Sequence, residues 1–251
     1  MSIFHSIGKY LAYVFLFTFV GIFFSFFVNA QVGAPPTQTE LATIETPNFD
    51  FLVSWTATNY VPSNFKGKIL PSKNSPIQIS FDVLDGNKFV NIANQQVNWY
   101  LNDSLIKSGV GLKSIVFIPT RNTSVIDIVI PAYTDAKYNA TEINTVITIP
   151  MATPEVVIHA PYANKNISLG DNVFQVLPYF FNISNVGQLK VDWEIDGVKN
   201  SGEANRPDIL NLTATSQGEV AAGANIGIKA FVQNLANQFE FAQNYINLNI
   251  K

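Results

Sequence analysis

The chain has 251 residues, 47% of them hydrophobic, and a formal net charge of −3, which is enough apolar material for one or two packed domains and excludes a disordered chain. It has no cysteine, so disulfides, zinc–thiolate sites and cysteine nucleophiles are excluded together, and each domain must be held by its apolar core. With 15 basic against 18 acidic residues it carries no basic footprint for nucleic acid.

The first 30 residues hold one charged side chain, Lys9, followed by an apolar, Phe-rich run over residues 11–28. Val28-Asn29-Ala30 before Gln31 puts small or compact residues where signal peptidase cuts. Residues 1–30 therefore read as a signal peptide cleaved between Ala30 and Gln31. An uncleaved anchor is the alternative, because such a run just reaches the length that spans a bilayer. Lys9 lies before the run and the next basic residue is Lys66, so either reading places the body outside the cytoplasmic membrane, with membrane contact only through residues 11–28 if they are retained. Residues 31–47, with Pro35-Pro36 and several Thr, read as an extended spacer.

Strand-like runs follow over residues 49–57, 77–83, 97–101, 114–118, 124–130 and 144–149, punctuated by Pro, Gly, Asn and Asp. After Pro150 to Pro154 the pattern repeats over residues 156–159, 173–183, 189–195, 209–213, 225–232 and 239–250. The repeat is clearest at two Trp strands. Leu189, Val191, Trp193 and Ile195 alternate with Lys190, Asp192 and Glu194 before Asp196-Gly197, and Val97, Trp99 and Leu101 alternate with Asn98 and Tyr100 before Asn102-Asp103. Both turns can take positive φ, as a two-residue hairpin requires. In the last strand Tyr245, Asn247 and Asn249 alternate with Ile246, Leu248 and Ile250. The expected fold is all-β: two tandem immunoglobulin-like Greek-key sandwiches, residues 48–150 and 154–251, that unfold independently.

The Trp strand with its Asp-Gly turn resembles bacterial immunoglobulin-like and PKD-like surface modules, and the resemblance implies that Trp99 and Trp193 underlie the two cores. It departs from antibody-type domains in lacking their cysteines and a tyrosine corner. A second stretch, Trp55-Thr-Ala-Thr-Asn-Tyr60-Val-Pro62 followed by Lys66-Gly67-Lys68-Ile-Leu-Pro71-Ser72, is similar to uncharacterised exported proteins of ultrasmall candidate-phylum bacteria, a family that brings no activity with it.

Residues 58–76 are the local candidate for a partner site. Unstructured loops of this length are usually functional, and Lys66, Lys68 and Lys73 stand there beside Tyr60 and Phe65, with no acidic residue between Asp50 and Asp82. A first strand that kinks at Pro62 and switches sheets, its lysines merely solvated, is the structural alternative. Catalytic chemistry finds little to stand on, since His159 is the single histidine after the leader and ends an apolar strand. Asp85, Asp135 and Asp171 are explained by turn chemistry rather than by an interleaved calcium loop, and no metal or other cofactor is expected. The functional expectation is a non-enzymatic envelope or surface protein acting as spacer, adhesin or assembly partner, its partner an envelope protein or a surface polysaccharide. The alternative is a carbohydrate-binding accessory module that uses the Lys66–Lys73 loop and an exposed strip of Tyr60, Phe65, Tyr133, Tyr138 and Tyr162.

Overall fold

The computed structural model describes residues 48–160, 162–215 and 223–251, and for residue 163 its backbone alone. The leader, the Ala30–Gln31 bond and the 31–47 spacer lie outside the described residues. The first half contains β1 (Phe49–Ala57), β2 (Ile77–Asp85), β3 (Lys88–Phe89), β4 (Gln96–Leu101), β5 (Ser104–Val110), β6 (Ser114–Phe117), β7 (Ser124–Tyr133) and β8 (Thr141–Ile149). The second contains β9 (Glu155–His159), β10 (Asn166–Ile167), β11 (Gly170–Tyr179), β12 (Leu189–Ile195), β13 (Val198–Asn200), β14 (Ile209–Ala214), β15 (Asn225–Asn234) and β16 (Asn237–Ile250).

The two halves share one connectivity. In the first, β2 lies between β1 and β6, and the facing sheet runs β5-β4-β7-β8. In the second, β11 lies between β9 and β14, and the facing sheet runs β10-β16-β15-β12-β13. From β2 onward in the first and from β11 onward in the second the chain crosses between sheets at the same places, which makes both of them Greek-key sandwiches of immunoglobulin type, the second adding β10, which lies between β9 and β11 in the chain and pairs in parallel with β16. Each encloses its own core. One gathers Ile77, Ile79, Phe81 and Val83 of β2 against Val97, Trp99, Ile126 and Ile128 of the opposite sheet, and the other gathers Phe174 and Val176 of β11 against Trp193, Ile228 and Val232.

Period-2 patterning explains the core strands, because every second residue is buried from Ile77 to Val83 in β2, from Ser124 to Ile130 in β7 and from Asn172 to Pro178 in β11. Trp99 and Trp193 are fully buried, and each indole N–H donates at 2.9 Å to a backbone carbonyl two residues ahead of the next crossing strand, Leu112 before β6 and Pro207 before β14. A buried indole thus keeps its polar group satisfied at the same point of both modules. The hairpin turns also match: Asn102 and Asp103 have φ of 48° and 67°, Asp196 and Gly197 have 47° and 85°, the double positive φ of a type I′ turn. The return strands β5 and β13 carry no alternation, being exposed along nearly their whole length, and the sequence expectation passes over them for that reason.

Candidate functional site

The connection between β1 and β2, residues 58–76, does not switch sheets within the first module. It leaves that module, lays an arm on the second and returns. Tyr60 exchanges two 2.7 Å backbone hydrogen bonds with the segment after β11, its N–H donating to Phe181 O and its C=O accepting from Phe180 N–H. Its ring joins the second module's core. Burial raises the pKa of its phenol, helped by the nearby Asp208 carboxylate. Phe65 sets an edge against Tyr179 and Phe180, with ring centres 6.0 and 5.7 Å away. Phe180 itself sits at φ 61°, a left-handed conformation that costs a bulky residue about 1–3 kcal/mol. Both of its backbone polar groups are claimed by the arm, the N–H by Tyr60 and the C=O by Asn59 Nδ2 at 2.8 Å, which is what holds it there.

The return leg of the arm is fixed by a buried polar cluster centred on Glu240 of β16. One carboxylate oxygen accepts from Asn182 N–H at 2.8 Å and from Ser72 Oγ at 3.2 Å, and the other from Asn234 Nδ2 at 2.5 Å. Ser72 Oγ in turn accepts from Asn59 Nδ2 at 2.7 Å. Ala152 N–H reaches Pro71 O at 2.8 Å and Asn182 Nδ2 reaches Asn74 O at 3.2 Å, so the chain between the modules is tied to the same leg. Four polar side chains inside the junction, Asn59, Ser72, Asn234 and Glu240, are at most 5% exposed. Buried polar groups of this kind are expensive unless paired, and here the pairing partners come from both modules, with Asn59 Oδ1 left without one.

The three lysines of the arm are exposed. Lys68 places its ammonium 3.4 Å from the centre of the Trp55 ring, a cation–π contact on the first module. Lys73 stands at the junction beside Ser72, and Lys66 faces solvent.

The five rings of the alternative reading do not form one strip. Tyr133 and Tyr138 are buried, 4% and 8% exposed, around Phe49, and their hydroxyls donate to Asp135 at 2.6 Å and to Asp85 at 3.2 Å. Tyr162 packs against Phe174. Tyr133 and Tyr138 can turn inward because each buries its ring while a carboxylate receives its hydroxyl. Among the carboxylates, the Tyr133 hydroxyl lowers the pKa of Asp135, with the N–H groups of Tyr138 and Lys137 adding to it. Asp171 accepts from Thr213 at 2.7 Å. Burial works to raise the pKa of Asp208, but hydrogen bonds from Arg206 and Gln175 outweigh it and hold the group below its ordinary value. His159 is exposed at the end of β9. Among the described residues no group of three or more His, Asp or Glu side chains converges to hold a metal.

A different set of rings is exposed. On β16 the outward-facing Phe239, Phe241 and Tyr245 are 84%, 53% and 57% exposed. Phe231 of β15 stacks on Phe241 with ring centres 5.6 Å apart, and Tyr245 lies over Gly227, where an added Cβ would meet its hydroxyl at 2.6 Å. At the junction end the row meets a groove of about 340 Å³, lined by Phe239 and Phe241 together with Lys73, Asn122 and Thr153. The signal lay in the alternation of the last strand, which continues upstream to Phe239 and Phe241.

No protein-family model matches the chain, and no curated protein matches it. Among solved structures it is similar to the fibronectin(III)-like modules of Clostridium thermocellum CbhA, at 13% identity and a TM-score of 0.29 over 80% of this chain and 94% of that one. It is also similar to the three N-terminal domains of the bacteriophage RB49 highly immunogenic outer capsid protein, at 11% identity and a TM-score of 0.30 over 81% and 70%. A third is the central fibronectin-III array of RIM-binding protein, at 11% identity and a TM-score of 0.26 over 78% and 69%. The chain's own strand order, rather than these likenesses, defines its fold.

Proposed function

We propose that this chain is an exported, non-enzymatic protein of the cell envelope or surface, in which two immunoglobulin-like sandwiches are clamped into one unit that presents a partner-binding face. The observation that carries the reading is the junction. A chain whose only task was to hold two domains on a string would not need residues 58–76 to cross over, complete the neighbour's core through Tyr60 and bury Asn59, Ser72 and Glu240. Inter-domain contacts within a chain are ordinarily polar and mobile, and fixing one in this way suits a protein that must hold a surface in place. The non-enzymatic part is supported by where the acidic groups are spent: on Arg206, on tyrosine hydroxyls and on the junction itself. Export rests on the leader and the Ala30–Gln31 cleavage point read from the sequence.

The test is surface proteolysis of intact cells, combined with mass spectrometry of the chain recovered from envelope fractions. The expected result is loss of the 48–251 body to an added protease in unbroken cells, with mature protein beginning at Gln31. A body protected until the cells are lysed overturns the surface reading, and a retained Met1 shows that residues 11–28 serve as an anchor.

A further inference from the structure

The outward row of β16 and the groove at its end hold large side chains that folding leaves largely exposed. Phe239, the most exposed large apolar residue described, sits beside the groove rather than scattered alone on a convex surface. Solitary exposed rings need no explanation, but here Phe239 and Phe241, successive outward residues of one strand, form a platform with Phe231 stacked on the second, and Tyr245 extends the row beyond Gln243. The groove lies at a module junction and falls within the size range of small-ligand sites.

The polar residues around the platform decide what it fits. On the outward face of the same sheet Lys190 pairs with Asp192 at 2.6 Å and Lys229 with Glu194 at 3.7 Å, Lys199 stands exposed opposite Glu194 on the far strand β13, and the Glu240 carboxylate is turned into the junction. Between and beside the rings lie amide and hydroxyl: Gln243 and Asn247 along β16, the latter already accepting from the Tyr245 hydroxyl at 2.5 Å, and Asn122 and Thr153 at the groove. An amide both donates and accepts, as a sugar hydroxyl does. A wholly apolar protein surface laid here would strand these amides without partners, and a nucleic acid would find a single cation, Lys73, at the groove. Ring faces are electron-rich and meet polarised C–H groups, such as the axial face of a pyranose, on their negative side.

We propose that the β16 row and the junction groove bind a polysaccharide chain, with Phe239, Phe241 and Tyr245 as its platform and the flanking amides as its hydrogen-bond partners. This deepens the surface reading and is tested apart from it. The full chain is applied to an array of immobilised polysaccharides, neutral (glucomannan, xylan, mannan) and acidic (polygalacturonate, hyaluronate). Wild type is expected to bind at least one of them, and the F239A/F241A variant to lose at least tenfold in affinity with an unchanged circular dichroism spectrum and thermal transition, since both rings are solvent-exposed. Phe89→Ala, which removes a 72% exposed ring from the first module, is the control and should bind as wild type does. Lys73→Ser should weaken binding only to the acidic polymers. No binding to any polysaccharide, or equal binding by wild type and F239A/F241A, overturns the proposal. So does a photo-crosslinker at position 239 that captures protein instead of glycan on intact cells. A chain that binds glycan yet is shielded from surface protease would sink the location while leaving this contact standing.

Discussion

Asp127 shows how one side chain can be held against its preference. It lies on the outward side of β7, one of its carboxylate oxygens is buried with no hydrogen-bond partner, and burial followed by the charges of Glu142 and Asp103 raises its pKa. A carboxyl whose folded pKa exceeds its unfolded value adds stability while it is protonated, and that contribution is lost as pH rises through the folded pKa. Asp127→Asn should therefore stabilise the chain at neutral pH, with the gain shrinking towards zero once the pH falls below the ordinary carboxylate range. Thermal melts of both proteins across that range check it, and a variant less stable at pH 7 contradicts it. Asp208 runs the other way. Its lowered pKa contributes stability above the ordinary carboxylate range, and acid removes that contribution as pH falls through the folded value.

Among the elements, the arm over residues 58–76 separates what a sequence can state from what only a structure can. Strand identities were legible because apolar alternation is a local signal. β1 falls on residues 49–57 and β12 on 189–195, as the alternation has them, and the paired Trp strands announce the repeat. The arm was legible only as an overlong connection rich in lysine. That Ser72, itself bonded by Asn59, meets Glu240, 168 residues further on, depends on the packing of one module against the other, and no spacing rule encodes such a meeting. The exposed rings of β16 were missed for a related reason: a Phe reads as core until its neighbours show which face of the strand is covered. The cluster around Glu240 also makes a sharp prediction. Glu240→Ala leaves the Asn182 N–H and the Ser72 hydroxyl without their acceptor and the Asn234 amide with the Asn182 carbonyl at 3.3 Å alone, at about 1–3 kcal/mol for each group that stays buried and unpaired. Glu240→Gln keeps an acceptor and should lose less. Urea unfolding of the two variants orders them, and equal losses would show that the cluster does not act through these bonds.

At the level of the whole molecule, the clamp changes how the chain should melt. Two sandwiches joined only through residues 150–154 would unfold separately. With Tyr60 seated in the second core and Phe180 pinned by the first module's arm, calorimetry should instead record one cooperative transition for the wild type. Trp193→Ala removes a fully buried indole and should cost about 3–5 kcal/mol. It should also split the transition, leaving the first module to melt alone and at a lower temperature than in the intact chain. Two resolved transitions in the wild type would refute the coupling.

Tandem copies of a sandwich are often treated as beads that can be cut out, reordered or duplicated, and the 94-residue echo between Trp99 and Trp193 invites that treatment. The arm forbids it. A fragment beginning at residue 154 would contain every strand of the second sandwich and still lack Tyr60, Phe65 and Asn59, so the unit of inheritance is the pair. A new neighbour grafted behind the first module would have to carry its own receptor for those three side chains, including a residue willing to stand, as Phe180 does, with its backbone in the left-handed region.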